Sequence, residues 1–222
     1  ASLESTFMPA VTLDFSEKNL ANNAGFDIAI PDGGGNMYMS TAALTGWRGP
    51  VNEVSDRYPR GNQWSASPYL SPTRHVQEVI FFPCRTSRIN TANIKAALTN
   101  YGAVYSALYW DNSFYNTTSR AYYQPNSSAN PSTGGGHAVT IIGWNDNYPR
   151  TNFKKIGGVG PAANGAWLVK NSWGTAWGNS GYFWVSYYDK YFGSALSGTD
   201  CKDTALFRGE ATTNYNGIYS YD

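Results

Sequence analysis

The sequence predicts an α+β fold with two lobes, on three observations. Helix-forming segments fill the chain before residue 75, and strand-like runs rich in β-branched and aromatic residues follow it. Between them, residues 49–72 form a Pro-, Ser- and Tyr-rich stretch that reads as surface loop or lobe connection. The 222 residues suit one ordinary domain or two small lobes sharing a cleft. The expected division is a helical lobe over 1–75 and a β-rich lobe over 76–222, whose tail from Ala205 leads toward a further module.

Each element has its own signal. Residues 1–8 read as helix, with Leu3 and Phe7 four apart on one face. Ser2 lies too near the start to cap it, so this helix reads as one cut into. Ser16 is the N-cap of a short helix that Asn22-Asn23-Ala24-Gly25 breaks. A glycine-rich loop around Pro31-Asp32-Gly33-Gly34-Gly35-Asn36 feeds a helix over 37–44. No Lys-Ser/Thr follows those glycines, which excludes a P-loop and leaves a backbone that approaches something closely. Residues 76–82 form a strand. A helix over 90–100 has Ile94, Ala97, Leu98 and Tyr101 at helical spacing and Gly102 in the stop position. Strands are expected over 103–110, 137–144, 166–170 and 181–188.

Composition removes several function classes. Lys+Arg 16 against Asp+Glu 15 gives a net charge of +1, so no global field holds nucleic acid or an anionic membrane. Two Cys and two His exclude a zinc finger, a Cys-rich staple framework and an HExxH metalloprotease, and nothing calls for a metal or cofactor. No apolar run approaches the roughly 18 residues of a membrane span. Charged residues are 14%, against about 25% in a typical soluble domain, while Trp, Tyr and Phe number 8, 17 and 10. Such a chain draws its solubility from Asn, Ser, Thr and Tyr, a style that points to a secreted or cell-surface protein.

The chemistry is expected at one of the two histidines. His75 follows Arg74 in a polar loop and is expected to be exposed. His137 stands at the mouth of the apolar strand 138–144, behind Gly134-Gly135-Gly136, where a loop without side chains leaves the ring open to a ligand. On this segment alone a structural histidine fits equally well. A second segment, Lys170-Asn171-Ser172-Trp173-Gly174-Thr175-Ala176-Trp177-Gly178, ends a strand in an amide and then alternates indoles with glycines. An amide oxygen can accept the ring N–H of an imidazole and fix its tautomer, and an indole over that bond excludes water.

Gly136-His137-Ala138-Val139 together with 170–178 resembles the histidine and asparagine motifs of papain-like cysteine peptidases. Further blocks occur in family order: Phe15-Ser16-Glu17-Lys18-Asn19-Leu20, the pair Gly34-Gly35, Tyr101-Gly102-Ala103-Val104 and Gly181-Tyr182-Phe183. The resemblance implies the papain-like two-lobed fold, with an antiparallel β-barrel-like second lobe. It implies His137 and Asn171 as catalytic, Trp173 and Trp177 as supporting, and Gly34, Gly35, Ala107 and Ala138 as substrate-binding residues, with a polypeptide as substrate. The nucleophile of the family stands in a Cys-Gly-Ser-Cys-Trp-Ala-Phe motif that this sequence lacks. A cysteine about 7 residues ahead of Ala1 would stand roughly 144 before His137, within the about 130–150 expected for this type. The expectation is therefore that an upstream peptide carries the catalytic Cys and that the 222 residues alone are inactive. Neither Cys84 nor Cys201 has the motif, and both are expected to be structural or free thiols. Surface-attached bacterial and archaeal members of the family often carry further domains, some lectin-like, and the tail reads as the approach to such a module. A non-catalytic peptide- or glycan-binding module, and a transferase sharing the Cys–His site, are the alternative readings. Two sequons, at Asn116 and Asn126, mark exposed loop.

Overall fold

The computed structural model describes residues 1–27, 34–59, 64–83, 91–125, 134–193 and 203–213. Cys84, Cys201 and the sequon at Asn126 lie outside them. The described chain is α+β. It contains α1 (Ser2–Ser5), α2 (Glu17–Asn23), α3 (Met37–Thr45), β1 (Arg74–Phe81), α4 (Thr91–Asn100), β2 (Val104–Trp110), β3 (Tyr115–Asn116), β4 (Ala121–Tyr122), β5 (Gly135–Asn145), β6 (Ala166–Lys170), β7 (Tyr182–Ser186) and β8 (Thr204–Ala211). No helix among the described residues is long and apolar enough to cross a membrane.

The chain divides into two units, one of Ala1, Leu3–Ile80 and Phe207–Asp222, the other of Ser2 and Phe81–Leu206. Sequence reasoning set the boundary near residue 75 and left the tail with the second lobe. The division at Phe207 follows from β8, a strand that sequence reasoning missed. Its first residues pair with β2 (Tyr105↔Ala205, Ser106↔Thr204), and its later ones run beside β1, where Arg208 meets Glu78 at 2.5 Å.

The first unit is organised by short helices tied through polar groups. Ser16 caps α2 as expected, its side chain accepting from Asn19 N, and its hydroxyl donates to Asp56 O at 2.5 Å. Lys18 Nζ lies 2.6 Å from Asp56 Oδ1, and Asn19 Nδ2 donates to Asp56 Oδ2 at 2.9 Å, all three residues being buried. Burial pushes the Asp56 carboxyl up, but the hydrogen bonds it accepts and the Lys18 charge outweigh that and hold it below its ordinary value. A buried ion pair survives desolvation only with its remaining lone pairs engaged, which is what Asn19 supplies here. Asn36 caps α3, accepting from Met39 N. Position 75 departs from expectation. β1 begins at Arg74, so His75 lies in a strand, is 6% exposed, and stacks on Trp47 with ring centroids 3.8 Å apart.

The second unit is a sheet in the order β8-β2-β5-β6-β7-β4-β3, antiparallel except where β4 runs parallel to β7. Alternation along the strands builds one buried face: Val104, Leu108, Ile141, Val169, Phe183 and Val185 are fully buried. Helix α4 adds Ile94 and Ala97 to the core and is pinned by Lys95, which reaches Asp146 at 2.5 Å and lies over the rings of Trp144 and Tyr187. Strands β5 and β6 pair from Asn145↔Ala166 to Thr140↔Lys170, with a bulge between Ile141 and Gly143. The first five residues of β5 run past this ladder and pair with β2 alone. His137 is one of those five.

Candidate active site

His137 and Asn171 meet because two strands present the same face. In β5, His137 shares a face with the buried Val139 and Ile141, and in β6 the buried Val169 is followed by exposed Lys170 and then buried Asn171. Ile141 pairs with Val169, so both polar residues lie on the inner face, where the β5–β6 ladder stops. Asn171 leaves the ladder but keeps a backbone tie, its N–H donating to Gly181 O at 2.9 Å. The intervening loop closes on itself through Trp177 N to Gly174 O at 3.3 Å and Gly181 N to Trp177 O at 2.7 Å. Gly178 makes that turn possible: its φ is 63°, and a Cβ there would fall 2.5 Å from Tyr182 O.

The hydrogen bonds fix the chemistry of the pair. The Ser172 backbone N–H donates to Asn171 Oδ1 at 2.7 Å, and a backbone N–H can only donate, so that atom is the amide oxygen. The same oxygen lies 2.9 Å from His137 Nε2. Nε2 therefore carries a hydrogen, and Nδ1 makes no hydrogen bond among the described residues. Burial pushes the His137 ring below the ordinary imidazole value, and the bond to Asn171 offsets part of that shift. The result is an imidazole biased by burial toward its neutral form and oriented by an amide, with Nδ1 unbonded among the described residues.

Aromatic rings enclose this pair. Trp173 stacks on His137 with centroids 4.7 Å apart and planes 29° apart, and Trp177 stands edge-on to Trp173 at 5.0 Å. Trp173 is the residue expected to shield the pair, and Trp177 the one expected to support it. Trp110, at the end of β2, was missed. It lies 6.1 Å from His137, 4.9 Å from Trp173 and 5.7 Å from Trp177. Its signal in the sequence was slight, since it reads as the last aromatic of a strand. The register reveals it. Leu108 is opposite His137, so Trp110, two residues on, is the diagonal neighbour on the same face.

The three glycines ahead of His137 separate into different roles. A Cβ on Gly134 would fall 2.4 Å from Tyr109 Cε1 and 2.6 Å from Trp110 O, so its missing side chain is a packing requirement. A Cβ on Gly135 would meet nothing within 4 Å, which is the openness expected of this approach. Ala107 and Ala138 are paired in the β2–β5 register, Ala107 buried and Ala138 exposed. Gly34 and Gly35 belong to the first unit, are exposed just ahead of α3, and have open space where a side chain would be. At the Asn116 sequon the amide is engaged: Nδ2 donates to Asn152 O at 2.9 Å, and Oδ1 accepts from Thr118 N at 3.0 Å.

The model of the family described as papain family cysteine protease matches residues 6–198. Cysteine proteinase 2 of Dictyostelium discoideum is 35% identical over 98 residues, which are 34% of this chain and 25% of that protein. The clostridial cysteine protease Cwp84 after propeptide cleavage is 31% identical with a TM-score of 0.74, covering 92% of this chain and 49% of that one. A structure of the cysteine protease and lectin-like domains of Cwp84, a surface layer associated protein of Clostridium difficile, is 27% identical with a TM-score of 0.72. It covers 94% of this chain and 45% of its own. The chain thus spans about half the length of these solved structures and a quarter of the Dictyostelium relative.

Proposed function

Because the chain belongs to the papain family of cysteine proteases, we propose that it forms most of a peptidase domain in which His137 is the general base and acid and Asn171 its orienter. The observation that carries the reading is the Asn171 Oδ1 contact to His137 Nε2, which leaves Nδ1 as the working nitrogen. The nucleophile of this reading is a cysteine thiol supplied by the longer protein, about 7 residues ahead of Ala1. Its proton passes to Nδ1, giving a thiolate–imidazolium pair. The thiolate adds to the peptide carbonyl carbon. As the C–N bond breaks, Nδ1 gives its proton to the leaving amine. Water then loses a proton to Nδ1 and adds to the thioester, which releases the acid and restores the thiol. Asn171 holds the Nε2–H throughout and stabilises the imidazolium, and Trp173 keeps water from that bond.

An extended peptide would hydrogen-bond to the backbone of Gly34 and Gly35, and Ala107 and Ala138 would line the main side-chain pocket. Small walls there, with Gly136 beside them, leave room for a bulky apolar side chain. A secreted or cell-surface setting is supported by the low charge and by the likeness to a surface layer associated protease. A lectin-like domain following the tail is proposed from the same likeness. The 222 residues alone are expected to be inactive.

The test is peptide hydrolysis by the full-length protein, with and without His137→Ala. Thiol-dependent turnover that disappears in the variant supports the assignment, and turnover that survives it refutes the assignment. The residue at the upstream position separates the classes: cysteine there is required for a peptidase, whereas serine or glycine would mean a peptide- or glycan-binding module.

A further inference from the structure

We propose that Trp110 is a positioning residue of this site: latched by Asn112 and backed by Tyr122, it buttresses Trp173 and so keeps the His137 imidazole seated against Asn171. The inference rests on the reading of His137 as the base. It begins from an imbalance. Trp173, the ring that covers the imidazole, is 42% exposed, so its own burial does not hold it in place. An exposed indole on a glycine-rich loop keeps one orientation only if neighbouring rings fix it. Two do so edge-on, Trp177 at 5.0 Å and 89°, and Trp110 at 4.9 Å and 87°.

Trp110 is suited to that task because it is itself anchored. It is 8% exposed, and its Nε1–H donates to Asn112 Oδ1 at 3.0 Å, which sets the rotation of the indole. Its face stacks on Tyr122 at 4.7 Å and 19°. Tyr122 is fully buried, and its hydroxyl donates to Tyr109 O at 2.7 Å while accepting from Asp111 N at 3.1 Å. The line of contacts runs from the backbone around Tyr109 and Asp111 through Tyr122 and Trp110 to Trp173 and the imidazole. Each link is short and buried until the last, and the last is the one that faces solvent.

The test reads the imidazole directly in the 222-residue chain, whose two histidines make the nuclear magnetic resonance titration simple. Trp110→Ala is expected to let water reach the ring, moving the His137 midpoint up toward its ordinary value, because burial is the larger cause of its lowering and outweighs any loosening of the bond to Asn171. The Nε2–H tautomer, read from the two ring ¹⁵N shifts, is expected to lose population. Trp110→Phe, which keeps a buttress without the latch, should restore most of both signals, and the His75 signal should stay where it is. If Trp110→Ala does not fold, Asn112→Ala decides, with a smaller shift in the same direction. A folded Trp110→Ala or, failing that, Asn112→Ala with unchanged His137 midpoint and tautomer would overturn the proposal. In the full-length enzyme, Trp110→Ala should lower kcat about tenfold with KM nearly unchanged. An inactive wild-type full-length protein would instead count against the peptidase reading, while the titration would still judge Trp110.

Discussion

His75 and His137 each stack on an indole, His75 on Trp47 at 3.8 Å and 10°, His137 on Trp173 at 4.7 Å and 29°. His75 is buried early in β1 of the first unit, with Trp47 directly after the C-cap of α3. His137 stands in the part of β5 that outruns its β6 partner, with an amide oxygen on one ring nitrogen and the other open. The stack is thus common to both; His137 adds a place beyond the β5–β6 ladder and the Asn171 amide oxygen on Nε2. An indole against an imidazole supplies packing. A strand end, an amide and glycines that leave one side clear are what the ring proposed as the base has in addition.

The largest expected effect separates the two histidines by activity. In the full-length enzyme His137→Ala should cost on the order of a thousandfold in kcat, within the range for loss of a general acid–base group. His75→Ala should lower stability and leave kcat within a few-fold at temperatures where the variant is folded. Equal losses of kcat in the two variants would end the distinction. Asn171→Ala comes next. Removing the acceptor frees the tautomer that Asn171 fixes, and kcat should fall roughly a hundredfold with the fold retained. A shift confined to KM would mean that Asn171 contacts substrate instead of orienting His137.

The sequence made the surroundings of His137 legible and misled about His75, for a reason tied to strand ends. The His137 and Asn171 blocks are continuous, each carrying its own strand, and the pairing of Ile141 with Val169 then puts both on one face. His75 was expected in a loop because Arg74 and the Pro-rich run before it hid the start of β1, whose edge is set by pairing with β8. Strand β8 read as a tail because Arg208, Gly209 and Glu210 interrupt its apolar residues. The two-residue strands β3 and β4 are too short for any periodicity. Trp110 depends on partners tens of residues away, and no local pattern marks it. Local chemistry was visible, and contacts made across the sheet were not.

A third effect tests how the first stack is held. Trp47 has a φ of 57°, the left-handed region that costs a side-chain-bearing residue about 1 kcal/mol. The stack on His75 is one contact that can offset that strain. Trp47→Ala loses the ring and keeps the strained backbone, so it should destabilise by about 2 kcal/mol in denaturant titration. Trp47→Gly loses the same ring but relieves the strain, and should be less costly than Ala by about 1 kcal/mol. An Ala variant as stable as wild type would show that the stack contributes nothing.

The smallest effect is the pH dependence that burial gives His137. In the unfolded chain an imidazole takes up its proton near the ordinary value of 6.5, whereas the folded ring stays neutral to a lower pH. Between these two points the unfolded state binds more protons, so stability declines as pH falls through 6.5 and levels off below the folded midpoint. Asp56 and Asp146, both held below the ordinary carboxylate value, add their own losses only at much lower pH. His137→Ala should flatten the decline between about pH 7.5 and 5.5, whatever the lost stack and hydrogen bond cost at the upper end. Denaturant midpoints of the 222-residue chain at those two values check it. Parallel curves for variant and wild type would mean that the ring is charged as readily folded as unfolded, which is incompatible with a base kept neutral by its enclosure.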